Sequence, residues 1–222
     1  GLAAGAGAGA ARAVAYFAQE AQVARALGAC VPRGGGAGGR VLGVGRGAAR
    51  WSFYVPDGTV LVRVVDPGAD AKQVELGGIQ AGVPCELAPG DAGLSGPFSF
   101  QPDSSVAAVY SRGAIGAADD PRMLLAEFVR VLQPGGVLLF CEEIRGKGPA
   151  DLLQRILPDG PALDRDIPTL LEATGFEQSD GELFAEWTLP HVLGVATKGG
   201  DRTPPAGGSP VGGLPFGKGA QR

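Results

Sequence analysis

The chain has 222 residues, 45% of them hydrophobic, and a formal net charge of −4. That gives room for one domain with modest extensions, and the near balance of scattered Lys and Arg against Asp and Glu excludes the basic footprint of a nucleic-acid binder. Cys30, Cys85 and Cys141 share no ligand or redox spacing, a lone His191 excludes a multi-histidine metal site, and no apolar run reaches the ~18 residues of a membrane span.

Residues 1–39 form an Ala/Gly-rich extension, in which apolar residues at helical spacing predict one helix over Ala10–Leu27. Pro32 and the glycines at 34–39 read as a hinge into the domain that starts at Arg40. From Arg40 short apolar strands alternate with polar or helical connections, the signature of a parallel α/β sheet. The predicted strands are Val41–Gly45, Val60–Val65, Cys85–Leu87, Val106–Tyr110 and Val137–Cys141. A helix is predicted over Pro121–Leu132, with Met123, Leu124, Phe128, Val131 and Leu132 as its apolar stripe, Pro121 in its first turn and Pro134-Gly135-Gly136 as its stop. A second helix, Ile167–Thr174, ends at Gly175, and two closing strands near Phe176–Trp187 and Val192–Thr197 read as a hairpin. Residues 199–222 are a Gly/Pro-rich tail with too few apolar groups to offset their ordering entropy alone.

The chemistry concentrates after the first strand. In Val41–Ala49, Gly45 and Gly47 allow a tight turn whose backbone approaches a ligand closely, although Arg46 and Ala49 depart from the dinucleotide G-x-G-x-x-G pattern. Asp66 ends the next strand about 20 residues on, where a carboxylate accepts both hydroxyls of a ribose. An N-cap role before Pro67 is the competing reading. Gly90-Asp91-Ala92 comes after the third strand and suits either an adenine contact or a plain turn. Arg112, Glu142 and Glu143 fall at strand carboxyl ends and read most simply as solvated rim charges, and His191 reads as structural, at a strand start away from that edge.

Taken in order, the Gly-rich turn, Asp66, Gly90-Asp91-Ala92, Pro102-Asp103-Ser104-Ser105 and Glu127–Gly136 resemble class I methyltransferases of the UbiE-like, type 11 group. Phe53–Gly58, Gly175-Phe176 and Pro190–Lys198 resemble its thiol-methyltransferase-like branch. The resemblance spans about Arg40 to Lys198 and implies a doubly wound, mostly parallel seven-stranded sheet with the last strand antiparallel, over a methyltransferase-like domain at 40–198. It implies S-adenosylmethionine (SAM) as cofactor, with Gly45, Gly47, Asp66, Asp91, Ala92 and Ser111 as the residues that hold it, and it names no catalytic residue.

Four positions depart from the family pattern. Gly43 and Ala107 stand where the family carries acids, Arg46 lies between the turn glycines, and Ala49 replaces the third glycine. Each charge-assisted hydrogen bond lost to the cationic cofactor costs ~1–3 kcal/mol, so weakened SAM binding is the expectation. Gly43→Glu with Ala107→Asp and Arg46→Ala is expected to restore it. These departures lead to the reading of a methyltransferase fold with weak or lost catalysis. It would serve as a structural subunit of a larger assembly, bound to partner chains through both extensions, with Leu214-Pro215-Phe216 buried in one of them. The missing initiator Met and the Ala/Gly-rich ends add the expectation of an imported, processed chloroplast or mitochondrial protein. The alternative is an active SAM-dependent methyltransferase on a small molecule such as a thiol or a quinone-type ring.

Overall fold

A computed structural model of the chain describes residues 20–31, 39–89, 96–156, 164–184 and 190–199. The predicted hinge at 32–38, most of the predicted leading helix, and the tail from 200 onward lie outside the described residues; residues 20–30 are helical (α1).

Seven strands form one sheet: β1 (Arg40–Val44), β2 (Leu61–Val65), β3 (Cys85–Leu87), β4 (Val106–Arg112), β5 (Leu132–Glu143), β6 (Phe176–Phe184) and β7 (His191–Lys198). Their order is β3-β2-β1-β4-β5-β7-β6. The pairings among β1 to β5 are all parallel, and β7 enters antiparallel between β5 and β6. The predicted α/β class and the strand cores therefore stand. β1 and β4 read as unbroken apolar runs because both faces of a central parallel sheet are covered.

Helices on the two faces make two cores. On one face α4 (Ala114–Ala117), α5 (Pro121–Val131) and α7 (Ile167–Ala173) cover Leu42, Val44, Val109, Leu138 and Phe140. On the other, α1, α2 (Ala48–Trp51) and α3 (Ala71–Ala81) cover Val41, Val62, Val64, Tyr110 and Leu139. The remaining helix, α6 (Pro149–Ile156), comes after β5.

In α5, Asp120 accepts from the amides of Arg122 and Met123 at 2.9 and 3.1 Å, and Pro121 takes the first turn as predicted. The buried stripe is Leu124, Leu125, Phe128 and Val131, whereas Met123 is exposed. The predicted stop is displaced as well. Leu132 turns extended and begins β5, and the segment from Gln133 to Gly136 bulges between the partners of Val106 and Ala108. Sequence reasoning missed α3, because Gly77 and Gly78 interrupt its apolar pattern. Those glycines are buried where Phe53 and the Val83–Cys85 backbone press against the helix.

The stretch with the most specific resemblance holds the fold together at the end of the sheet away from the Gly-rich turn. Arg130 donates to Glu127, Asp103 and the carbonyls of Phe98 and Gln101, while Glu127 accepts from the Phe98 amide at 2.9 Å. These bonds staple residues 98–103 to α5.

Removing a fully buried aromatic leaves a cavity that this close packing cannot refill. Phe128→Ala is expected to cost about 3–5 kcal/mol in urea unfolding, against about 0.5 kcal/mol or less for Met123→Ala on the exposed side.

Candidate functional site

The strand order reverses between β1 and β4, and in open α/β sheets ligands bind at the carboxyl edge beside that switch point. The Gly-rich turn lies there, with Gly45 and Gly47 both at positive φ, 125° and 77°. A side chain at either would collide with Arg112, through its main chain at Gly45 and its guanidinium at Gly47. Only glycine permits so close an approach of β4 to the turn. Arg112 crosses the turn, its Nη1 donating to the Arg46 carbonyl at 2.8 Å and its guanidinium lying 5.6 Å from the Trp51 ring centroid.

Asp66 is buried at the end of β2. Its Oδ2 accepts from the Ala49 amide at 3.2 Å and its Oδ1 from the Gly68 amide at 3.0 Å. It caps no helix, since α3 is capped by Asp70. The carboxylate instead joins β2 to the start of α2, beside the glycine turn. Asp91 and Ala92 lie outside the described residues.

Three of the four departures leave the contacts at this edge intact. Ala107 lies at the amino-terminal end of β4, far from the ligand edge. Arg46 is exposed. Ala49 still offers its main-chain amide to Asp66. Gly43 is different: a side chain there would enter the ring of Tyr110, its register partner on β4. Tyr110 is fully buried, and its hydroxyl donates to the Ala48 carbonyl at 3.1 Å. Tyr110 fills the space that a side chain at 43 would take, so the expected repair through Gly43→Glu has no room.

Two further expectations change. Glu142 is no rim charge: it is fully buried on the face covered by α4, accepting from Ser111 Oγ at 3.1 Å and from the amides of Ile115 and Gly116 at 3.2 and 2.9 Å. Ser111 is likewise buried, its hydroxyl committed to Glu142. Loss of hydration pushes the Glu142 carboxyl up to about 7, against the pull of the two amides, the Ser111 hydroxyl and Arg165. His191 is not remote from the ligand edge either. Because β7 runs antiparallel to β5, its first residue stands opposite the last residue of β5, Glu143. A single sequence hid this, since strand direction is not written in local pattern.

Burial raises the Cys85 and Cys141 pKa values and pushes Cys30 up to about 11. No helix among the described residues is long and apolar enough to cross a membrane.

This sheet order and turn define a class I SAM-dependent methyltransferase fold. Residues 42–140 match the family profile described as a methyltransferase domain (Methyltransf_11). No curated protein sequence matches the chain. Among solved structures, the fold resembles phosphoethanolamine N-methyltransferase 2 of Haemonchus contortus in complex with SAM. The TM-score is 0.61 at 17% identity, over 81% of this chain and 52% of that one, so the present chain spans about half its length. It also resembles the [4+2]-cyclase SpnF, with TM-score 0.63 and 17% identity over 81% and 80% of the two chains. Geranyl diphosphate methyltransferase in complex with SAM gives 0.57 and 15% over 81% and 85%.

The expectation of a structural subunit with lost catalysis is thereby corrected. The fold is shared with methyltransferases captured with SAM, and of the four departures Ala107 lies at the opposite end of β4 while the Ala49 amide still binds Asp66.

Gly43→Glu is expected to lower the melting temperature sharply without creating a cofactor contact, and Tyr110→Ala in the same chain to recover part of the loss, as paired thermal melts would show. For Glu142, the folded carboxyl holds its proton up to about pH 7, whereas the unfolded one releases it near 4.5. Its contribution to stability is therefore full below about pH 4.5 and declines as pH rises toward about 7, by roughly 3 kcal/mol. Melts from pH 4.5 to 8 should show this decline flattened in Glu142→Gln, which is also less stable throughout because an amide group replaces one acceptor; parallel profiles would contradict it.

Proposed function

We propose that the chain is an active SAM-dependent methyltransferase acting on a small molecule. The observation that carries this reading is the Asp66 carboxylate, held beside the glycine turn at the β1/β4 switch point. A carboxylate flanked by main-chain amides suits a ribose diol. The residues present therefore fit the cofactor. Gly45 and Gly47 would form the floor, Asp66 would hold the ribose, Ser111 would contribute its main chain at the end of β4, and Asp91 and Ala92 would serve the adenine. Arg112 offers the cofactor's carboxylate a fixed cation, which offsets the missing acid at position 43.

Bound SAM supplies an electrophilic methyl group on a sulfonium. The protein's part is alignment: it holds the acceptor in line and excludes water. The methyl acceptor is a small molecule such as a thiol or a quinone-type ring.

Calorimetric titration with SAM and with S-adenosylhomocysteine tests the reading. Micromolar or tighter binding is expected, weakened about 10- to 100-fold in Asp66→Asn, in line with ~1–3 kcal/mol for charge-assisted hydrogen bonds. Absence of binding by either compound would overturn it.

A further inference from the structure

The sheet carries a second polar group on the acceptor side of the switch point. Asp66 and β2 lie to one side of the β1/β4 boundary; β5 and β7 lie to the other. There Glu143, the last residue of β5, is paired across the antiparallel ladder with His191, the first residue of β7. Opposite residues in such a ladder have Cβ atoms ~4.5–5.5 Å apart on one face of the sheet, within which a carboxylate and an imidazole reach each other.

That face is identified by the two-residue alternation. Tyr110 and Arg112 on β4, Leu139, Cys141 and Glu143 on β5, and Leu193 and His191 on β7 share it. His191 and Glu143 therefore project from the same face as Arg112, whose guanidinium spans the glycine turn. Glu142 and Arg165 belong to the opposite face.

Glu143 is also fixed in place. Gln154, from α6, donates to Glu143 Oε1 at 3.1 Å and to the Ile144 carbonyl at 2.8 Å, while its own Oε1 accepts from the Gly146 amide at 2.7 Å. The Ile144 amide donates to the Pro190 carbonyl at 2.9 Å, which locks the end of β5 to the start of β7. His191 is buried and Glu143 half-buried. Among the described residues, the other charged groups near this corner are Arg112 from β4, Arg145 and Lys147 in the segment after β5, and Asp164, which pairs with Arg145; α6 contributes the neutral Gln154.

Resting on the proposed methyltransferase activity, we propose that His191, oriented by Glu143, is the base that deprotonates a hydroxyl methyl acceptor. The acceptor's O–H bond breaks, its proton passes to an imidazole nitrogen of His191, and the electron pair stays on the oxygen, which becomes the nucleophile. The imidazolium afterwards releases that proton to water, matching the one proton that methylation of a hydroxyl liberates. Glu143 acts as a positioning residue that fixes the tautomer and stabilises the imidazolium. A phenolic hydroxyl, with an ordinary pKa near ~10, gains far more from such a base than a thiol near ~8.5, so the pair favours the ring hydroxyl over the thiol.

The single histidine makes the test direct, because tag-free protein labelled at histidine gives one imidazole signal in NMR. The titration midpoint of His191 is expected to fall by about one pH unit in Glu143→Gln, the tenfold loss of proton affinity that comes from removing a neighbouring carboxylate. With catechol as acceptor, His191→Gln is expected to lower kcat about 100-fold while the calorimetric SAM affinity stays unchanged, and to remove the acidic limb of the pH–rate profile. Glu143→Gln should shift that limb and serves as the second variant if His191→Gln does not fold. A His191 midpoint indifferent to Glu143→Gln, or an unchanged kcat in His191→Gln, would overturn the assignment. So would methylation of 2-mercaptoethanol in preference to catechol. Absence of SAM binding would instead sink the proposed function, and the NMR titration would still decide whether the pair is coupled.

Discussion

Close approach at the ligand edge of β1 governs the rest of the molecule. Gly43, Gly45 and Gly47 lack the atoms that would hold β4 and the adjoining turn apart, so Tyr110 and Arg112 pack directly against their backbone. The Tyr110 ring takes the place of a side chain at 43 and ties the core to the Ala48 carbonyl. Trp51 then lies beside both, its ring centroid 6.2 Å from that of Tyr110 and 5.6 Å from the Arg112 guanidinium carbon. A side chain at Gly45 would meet the Arg112 main chain and push β1 and β4 apart, whereas at Gly43 or Gly47 it would displace the Tyr110 ring or the Arg112 guanidinium.

Around that contact, polar groups are divided by face. On the side covered by α4, the buried Glu142 gathers two amides and the Ser111 hydroxyl, and so fixes the turn after β4. On the other side Arg112 crosses the glycine turn, with Glu143 and His191 beyond it. The alternation of a strand accounts for the difference between adjacent residues 142 and 143: one is buried as structure, the other left half-buried at the edge. Asp66 works from the far side of the boundary, where its two oxygens bind the amides of Ala49 and Gly68. An edge built this way has the Asp66 carboxylate on one side and the Glu143–His191 corner on the other, with the Arg112 cation between them.

The glycine turn and Asp66 at a strand end were legible in the sequence because turns and strand ends are marked by local pattern, whereas the Glu127–Arg130 staple joins segments distant in the chain and was not. Apolar strands separated by turn residues fixed the α/β class, and Asp120-Pro121 marked the start of α5 through its own short-range hydrogen bonds. The predicted helix stripe erred by one position, taking Met123 for Leu125, because both neighbours are apolar and only packing against β4 and β5 selects between them. Reading the departures at 43, 46, 49 and 107 as one damaged pocket failed for a related reason. Linear order set them together, whereas the sheet puts Ala107 at the opposite end of β4 and leaves Arg46 on the surface.

By itself, then, the sequence determined the strand cores, their order and the chemistry available at their ends, since these arise from propensity, periodicity and caps within a few residues. Strand direction and face belonged to the tertiary structure. Whether His191 lies at the ligand edge depends on β7 running against β5, and whether Glu142 is structural depends on which face α4 covers. Both are settled by contacts between segments distant in the chain, where hydrophobic burial rather than local preference decides the outcome.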